Sequence, residues 1–191
     1  MAFAAMSMLA ESWSADFSVS TAEEFASAVS AINSGGAGTH TISLQGDITA
    51  FPGATFGASG TDTKLLGNGH RLVFMALSYF HVENGAVLRI GSADDSAASA
   101  LDMTRAKSND VPGVLSVGDK GTVHIHDGVV LHDCEGNNYF GGGVSVEGGL
   151  FHMHGGTIRN CGIDGGSVCF GGGVAVVDGG RFIMDGGTIS G

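Results

Sequence analysis

Apolar and polar residues alternate along most of this chain in short bursts, each closed by glycine. From Gly141 it reads GGGVSVEGGLFHMHGGTI, and from Gly171 GGGVAVVDGGRFIMDGGTI. A looser copy, GVLSVGDKGTVHIHDGVV, begins at Gly113. Alternation with period 2 marks strands, and a repeat of roughly 30 residues marks a stacked β architecture. Aligning the copies gives five apolar columns: Leu115/Val144/Val174, Val117/Val146/Val176, Val123/Phe151/Phe182, Ile125/Met153/Met184 and Val130/Ile158/Ile189. Each copy therefore holds two strands and a short third, separated by glycine bends. Three short strands per repeat make one coil of a parallel β-helix, with neighbouring coils ~4.8 Å apart. YFHVENGAVLRI fits an earlier coil, with Phe80, Val82, Leu88 and Ile90 in the same columns. Residues 91–112 read as a loop excursion from which Leu101 and Met103 dip back as a third strand. Coils around Leu65–Leu66 and Leu72–Phe74 are expected, without a fixed register.

One segment departs from this pattern. Ser20-Thr21-Ala22-Glu23 reads as a capping box, and Phe25, Val29 and Ile32 share one helical face. An amphipathic helix is expected over residues 21–33, closed by Asn33-Ser34-Gly35-Gly36. A following strand is expected at residues 41–45. The fold predicted is all-β, a right-handed single-stranded parallel β-helix (solenoid) with an N-terminal capping α-helix. The domain spans residues 16–191. Because the chain stops inside a further copy of the repeat, more repeats of the same polypeptide are expected beyond Gly191.

Residues 1–15 begin with an apolar run, and Ala10-Glu11-Ser12 would serve as a small-x-small cleavage site. They read as the remnant of a signal peptide without its charged start, or as a short apolar N-terminal segment. The run is too short to span a bilayer. Glycine accounts for 34 residues and proline for 2, and the glycines sit at fixed places in the repeat, so they are corners and not a flexible linker. With 8 Lys+Arg against 19 Asp+Glu and a net charge of −11, nucleic acid and anionic membrane surfaces are poor partners. Cys134, Cys161 and Cys169 fit no zinc-module spacing. Cys134 and Cys161 fall at nearly matching places in adjacent copies, as a bridge or as free buried thiols.

The helix, THTISLQGDI, LLGNGHRLVF, YFHVENGAVLRIG and the GGGVxV…GGxFxMxGGTI copies resemble bacterial secreted proteins with a right-handed parallel β-helix, in the pectin-lyase-like fold group. The resemblance covers residues 20–191 and is specific for fold rather than function, since that group holds polysaccharide lyases, glycosidases and surface adhesins. The GGTI-type copies look most like adhesin-like cell-surface proteins of anaerobic bacteria. The resemblance implies a secreted or cell-surface location and a glycan or protein partner.

Chemistry belongs to the outward positions. With Val123, Ile125, Phe151 and Met153 inward, His124, His126, His152 and His154 point out, His124 above His152 and His126 above His154. Asp185 takes the His126/His154 place in the next copy, and Ile183 that of His152. Imidazoles with a carboxylate suit Zn²⁺, Cu²⁺ or Ni²⁺, and four of them make a pH-sensitive face. The bland alternative is a set of exposed ladder positions that happen to be histidine. Asp127 and Asp185 are the nearest approach to a glycosidase-type acid pair, but Arg89, Arg159 and Arg181 are too scattered to hold a uronate. No EF-hand, P-loop or nucleophile elbow occurs. No catalytic residue is assigned. The expected function is an adhesin-like structural segment. A carbohydrate-active enzyme of the same fold and a metal-binding His surface are the alternatives.

Overall fold

A computed structural model describes residues 13–94, 96–105, 112–136, 141–163 and 171–191. Residues 1–12 and Cys169 lie outside the described residues. The chain is an all-parallel β-solenoid of about six coils. It opens with β1 (Trp13–Val19) and α1 (Ala22–Gly35). The next coil is β2 (Gly38–Leu44), β3 (Ile48–Phe51) and β4 (Ala54–Phe56). It is followed by β5 (Thr61–Leu66), β6 (His70–Phe74) and β7 (Phe80–Val82). β8 (Val87–Ile90), the short α2 (Ser96–Ser99), β9 (Leu101–Arg105) and β10 (Leu115–Val117) form the fourth. The fifth holds β11 (Thr122–Ile125), β12 (Val129–His132), β13 (Glu135–Gly136) and β14 (Val144–Glu147). The sixth holds β15 (Leu150–Met153), β16 (Thr157–Arg159), β17 (Gly162–Ile163) and β18 (Val174–Val177). β19 (Arg181–Met184) and β20 (Thr188–Ser190) stack on β15 and β16 as the last strands.

Equivalent strands stack into three sheets. Sheet A runs β1-β2-β5-β8-β11-β15-β19, sheet B β3-β6-β9-β12-β16-β20, and sheet C β4-β7-β10-β14-β18; β13 and β17 form a separate pair. Four of the five predicted columns are ladder partners as aligned, for example Val123↔Phe151↔Phe182 and Leu115↔Val144↔Val174. Phe80, Val82, Leu88 and Ile90 join them. The fifth column is corrected by one residue. Leu131, not Val130, is the partner of Ile158, and Val130 faces outward beside Thr157. With period 2 a slip of one residue reverses the face, and Leu131 is fully buried.

The capping box is likewise displaced by one residue. Thr21 is the N-cap, its hydroxyl accepting from Glu24 N at 3.2 Å. The Glu24 carboxylate accepts from the backbone N–H of both Ser20 and Thr21. Both frames satisfy S/T-x-x-E; the one used puts Phe25, Ala28, Val29 and Ile32 inward. α1 packs on β1, β2, β3 and β4, and the Phe25 ring meets those of Phe51 and Phe80 at centroid distances of 4.8 and 5.8 Å. β1 was not expected from the pattern, and its first three residues belong to the segment set apart as a signal remnant; all seven pair with β2. Among the described residues no helix is long and apolar enough to cross a membrane.

The Gly-Gly corners have two separate physical reasons. Gly148 has φ +85°, which disfavours any side chain. Gly149 does not, but a Cβ there would lie 2.5 Å from the Gly118 carbonyl oxygen of the preceding coil. These corners bring successive strands of sheet A into stacking register, and so set the spacing of what projects from it.

Candidate metal centre

Alternation along β11 and β15 sends Val123, Ile125, Phe151 and Met153 into the core and His124 and His152 to the outer face of sheet A. The parallel ladder then sets His124 directly against His152. His126, His154 and Asp185 follow the ends of β11, β15 and β19, at the next corner.

The rings converge. His124 Nδ1 is 3.0 Å from His154 Nε2. The His152 and His154 ring centroids are 3.8 Å apart, and those of His124 and His152 5.6 Å. His152 Nε2 meets Asp185 Oδ2 at 2.5 Å, and His154 Nδ1 is 3.9 Å from the same oxygen. One nitrogen from each of His124, His152 and His154 can be chosen so that all lie within 4.8 Å of one another. Tetrahedral zinc with Zn–N bonds of 2.0–2.1 Å needs its nitrogens roughly 3.3 Å apart. The three side chains are half-buried, which limits competition from water while leaving a path of entry.

His126 is placed differently from the other three. It stacks on His154 with centroids 4.9 Å apart and planes within 7°, as the sequence alignment of the two positions predicts, but its nitrogens are not part of the converging set. Among the described residues the converging set is His124, His152 and His154, with the His126 ring packed against His154 and Asp185 at the edge against His152.

Electrostatics keep several of these rings neutral. Burial lowers the His124 pKa to about 4, helped by the charge of Arg89 and by the neighbouring imidazoles. Burial also lowers His126 and His154; His154 adds to the effect on His126, and His152 to that on His154, where Asp185 opposes it. The 3.0 Å contact between His124 and His154 requires one ring to donate and the other to accept, so both cannot be imidazolium. Arg89 lies in the same outward column, between Lys64 and His124. Its charge is offset by Asp62, which it holds at 2.8 Å through both Nε and Nη2.

A second polar network was not foreseen. On the outer face of sheet B, His132 Nε2 is 2.7 Å from Asp102 Oδ1, and its Nδ1 is 2.7 Å from Asp133 Oδ2. Arg71 reaches Asp102 from the coil before, and Asn160 donates to Asp133 from the coil after. Asp102 alternates with the inward Leu101 and Met103, and in the corrected register His132 follows the inward Leu131, so both project outward. The Asp133 pKa is lowered by hydrogen bonds from His132 and Asn160, the opposite of what a general acid requires. Asp127 is a corner residue, its carboxylate accepting from Gly156 N at 3.3 Å, and Asp185 is turned to His152. Neither member of the sequence-level acid pair is aimed at the other.

No protein-family model matches the chain, and neither a curated protein nor a solved structure matches it.

Proposed function

We propose that this chain is a secreted or cell-surface β-solenoid whose outer face binds a divalent transition-metal ion through His124, His152 and His154. The observation that carries this reading is the convergence of one nitrogen from each of three histidines within 4.8 Å. Asp185 supplies either a fourth ligand or the carboxylate that orients His152, the partner that metal-bound imidazoles usually have. Nitrogen-rich sites of this kind favour Zn²⁺, Ni²⁺ and Cu²⁺ over the hard ions Ca²⁺ and Mg²⁺. The ion would tie the fifth and sixth coils together, since its three histidine ligands come from both. Calorimetric titration of the chain with Zn²⁺ or Ni²⁺ at neutral pH is the test. One ion per chain is expected, with affinity falling at least tenfold in His152→Ala/His154→Ala. Equal affinities for the two proteins would end the reading.

A non-catalytic, adhesin-like role for the solenoid as a whole is a second reading, with glycan or surface protein as partner. It is favoured by the Arg71–Asp102–His132–Asp133–Asn160 network, a row of hydrogen-bonding groups crossing four coils of one flat sheet. Such a row suits a hydroxyl-rich ligand lying along the sheet. Glycan-array binding that drops in Asp102→Asn supports it; no binding to any glycan by the folded chain would count against it.

A further inference from the structure

The buried side of the chain carries chemistry that the metal site does not use. Cys134 follows β12, and Cys161 follows β16. The register His132↔Arg159 continues through Glu135↔Gly162, which sets Cys134 opposite Cys161 in the next coil. Gly162 N donates to the Cys134 carbonyl at 3.0 Å. Opposed Cα atoms in such a ladder lie ~4.8 Å apart, inside the roughly 4.4–6.8 Å range that a disulfide spans. Both residues are free thiols and both are buried, Cys161 retaining 3% exposure. The Cys134 thiol lies 3.1 Å from the His132 carbonyl, and the Cys161 thiol 3.4 Å from that of Arg159.

Arg105, the last residue of β9, is fully buried in the same region. Its Nη1 donates to the carbonyls of Ser78 and Pro112 at 3.1 and 3.0 Å. Its Nε and Nη2 have no hydrogen-bond partner among the described residues. A buried guanidinium with unmet donors is costly. Burial lowers its pKa, and the ionisable groups that oppose this are Cys134 and Cys161. Between the thiols, the hydrogen bond from Cys134 lowers the Cys161 pKa and raises that of Cys134. His132 also favours a Cys161 thiolate, and Asp133 opposes it.

We propose that Cys134 and Cys161 form an oxidisable dithiol, closed to a disulfide by a small peroxide, with the buried guanidinium of Arg105 on the neighbouring strand beside the pair. The Cys161 thiolate attacks one peroxide oxygen; the O–O bond breaks, hydroxide leaves and Cys161 becomes a sulfenic acid. The Cys134 sulfur then attacks the Cys161 sulfur and the S–OH bond breaks. The Cys134 proton and the departing hydroxide leave as water. The two cysteines lose two electrons and the peroxide gains them. The guanidinium loses its anionic neighbour when the bridge closes, so it favours the reduced pair; the bridge is then a readily reversed one rather than a permanent staple.

The test uses the full chain carrying Cys169→Ser, treated with equimolar hydrogen peroxide and mapped by mass spectrometry without reduction. A Cys134–Cys161 cross-link, opened again by dithiothreitol, is expected. Arg105→Met should slow its formation severalfold, and Arg105→Lys should restore most of the rate. Should Arg105→Met fail to fold, Cys134→Ser decides: Cys161 must then accumulate sulfenic acid that dimedone captures. Oxidation to sulfinic acid without a cross-link, a wild-type rate in folded Arg105→Met, or no dimedone adduct in Cys134→Ser would each overturn the proposal.

Discussion

At His124 two demands are met by one arrangement. The ring is packed closely enough to lose its proton affinity, and it still presents a nitrogen to its neighbours. Its folded pKa of about 4 lies below the ordinary value of 6.5, so between those values the unfolded chain binds more protons than the folded one. Stability from this group is complete above about pH 6.5 and is lost as pH falls towards 4. His40 acts in the same direction: it is buried, both its ring nitrogens lack hydrogen-bond partners among the described residues, and burial lowers its pKa. In metal-free buffer, chemical denaturation should show stability falling from pH 6.5 to pH 4, with about 1–2 kcal/mol assigned to His124 after allowance for its solvent contact. His124→Ala should flatten the dependence, and a slope unchanged in that variant would remove the argument. The cluster itself could be read from VHIH and FHMH, because alternation and repeat together fix which side chains face out and which stand in line. Which of the four rings converge could not, since that depends on how rings pack beyond the strand ends. Arg105 was hidden for another reason: it keeps the inward parity of Leu101 and Met103, but arginine is not read as a core residue.

At the level of the strand, register decides which residues matter. The repeats are strong where apolar residues alternate strictly, as in β10, β11, β14 and β15, and there sequence alignment and ladder pairing coincide. They are ambiguous in the third strand, where Val129, Val130 and Leu131 are all apolar and any of them could face the core. Leu131→Ala should therefore cost about 2–5 kcal/mol, as a truncation in the core, while Val130→Ala should change stability by about 0.5 kcal/mol or less. Equal costs in urea unfolding would show the third-strand register to be wrong. The same ambiguity concealed the His132 network, and the doubled S/T-x-x-E frame shifted the helix N-cap from Ser20 to Thr21.

At the level of the whole molecule, no coil buries its own core. Val146, Met153 and Ile158 are fully buried, yet their ladder partners Val176, Met184 and Ile189 in the last coils are 43%, 44% and 37% exposed. Near-identical strands differ in burial because only the former have a coil on both sides, the nearest-neighbour behaviour of a solenoid. The same stacking that builds the core projects outward residues as ladders, so a functional site on this fold needs only a few adjacent coils to carry the right letters. His124, His152, His154 and Asp185 are such a set, drawn from three coils. The most direct measurement is anomalous diffraction at the zinc edge from crystals of the chain grown with Zn²⁺. The predicted result is a peak bonded to nitrogens of at least two of His124, His152 and His154. Zinc bound elsewhere on the chain, with no peak among these rings, would contradict it.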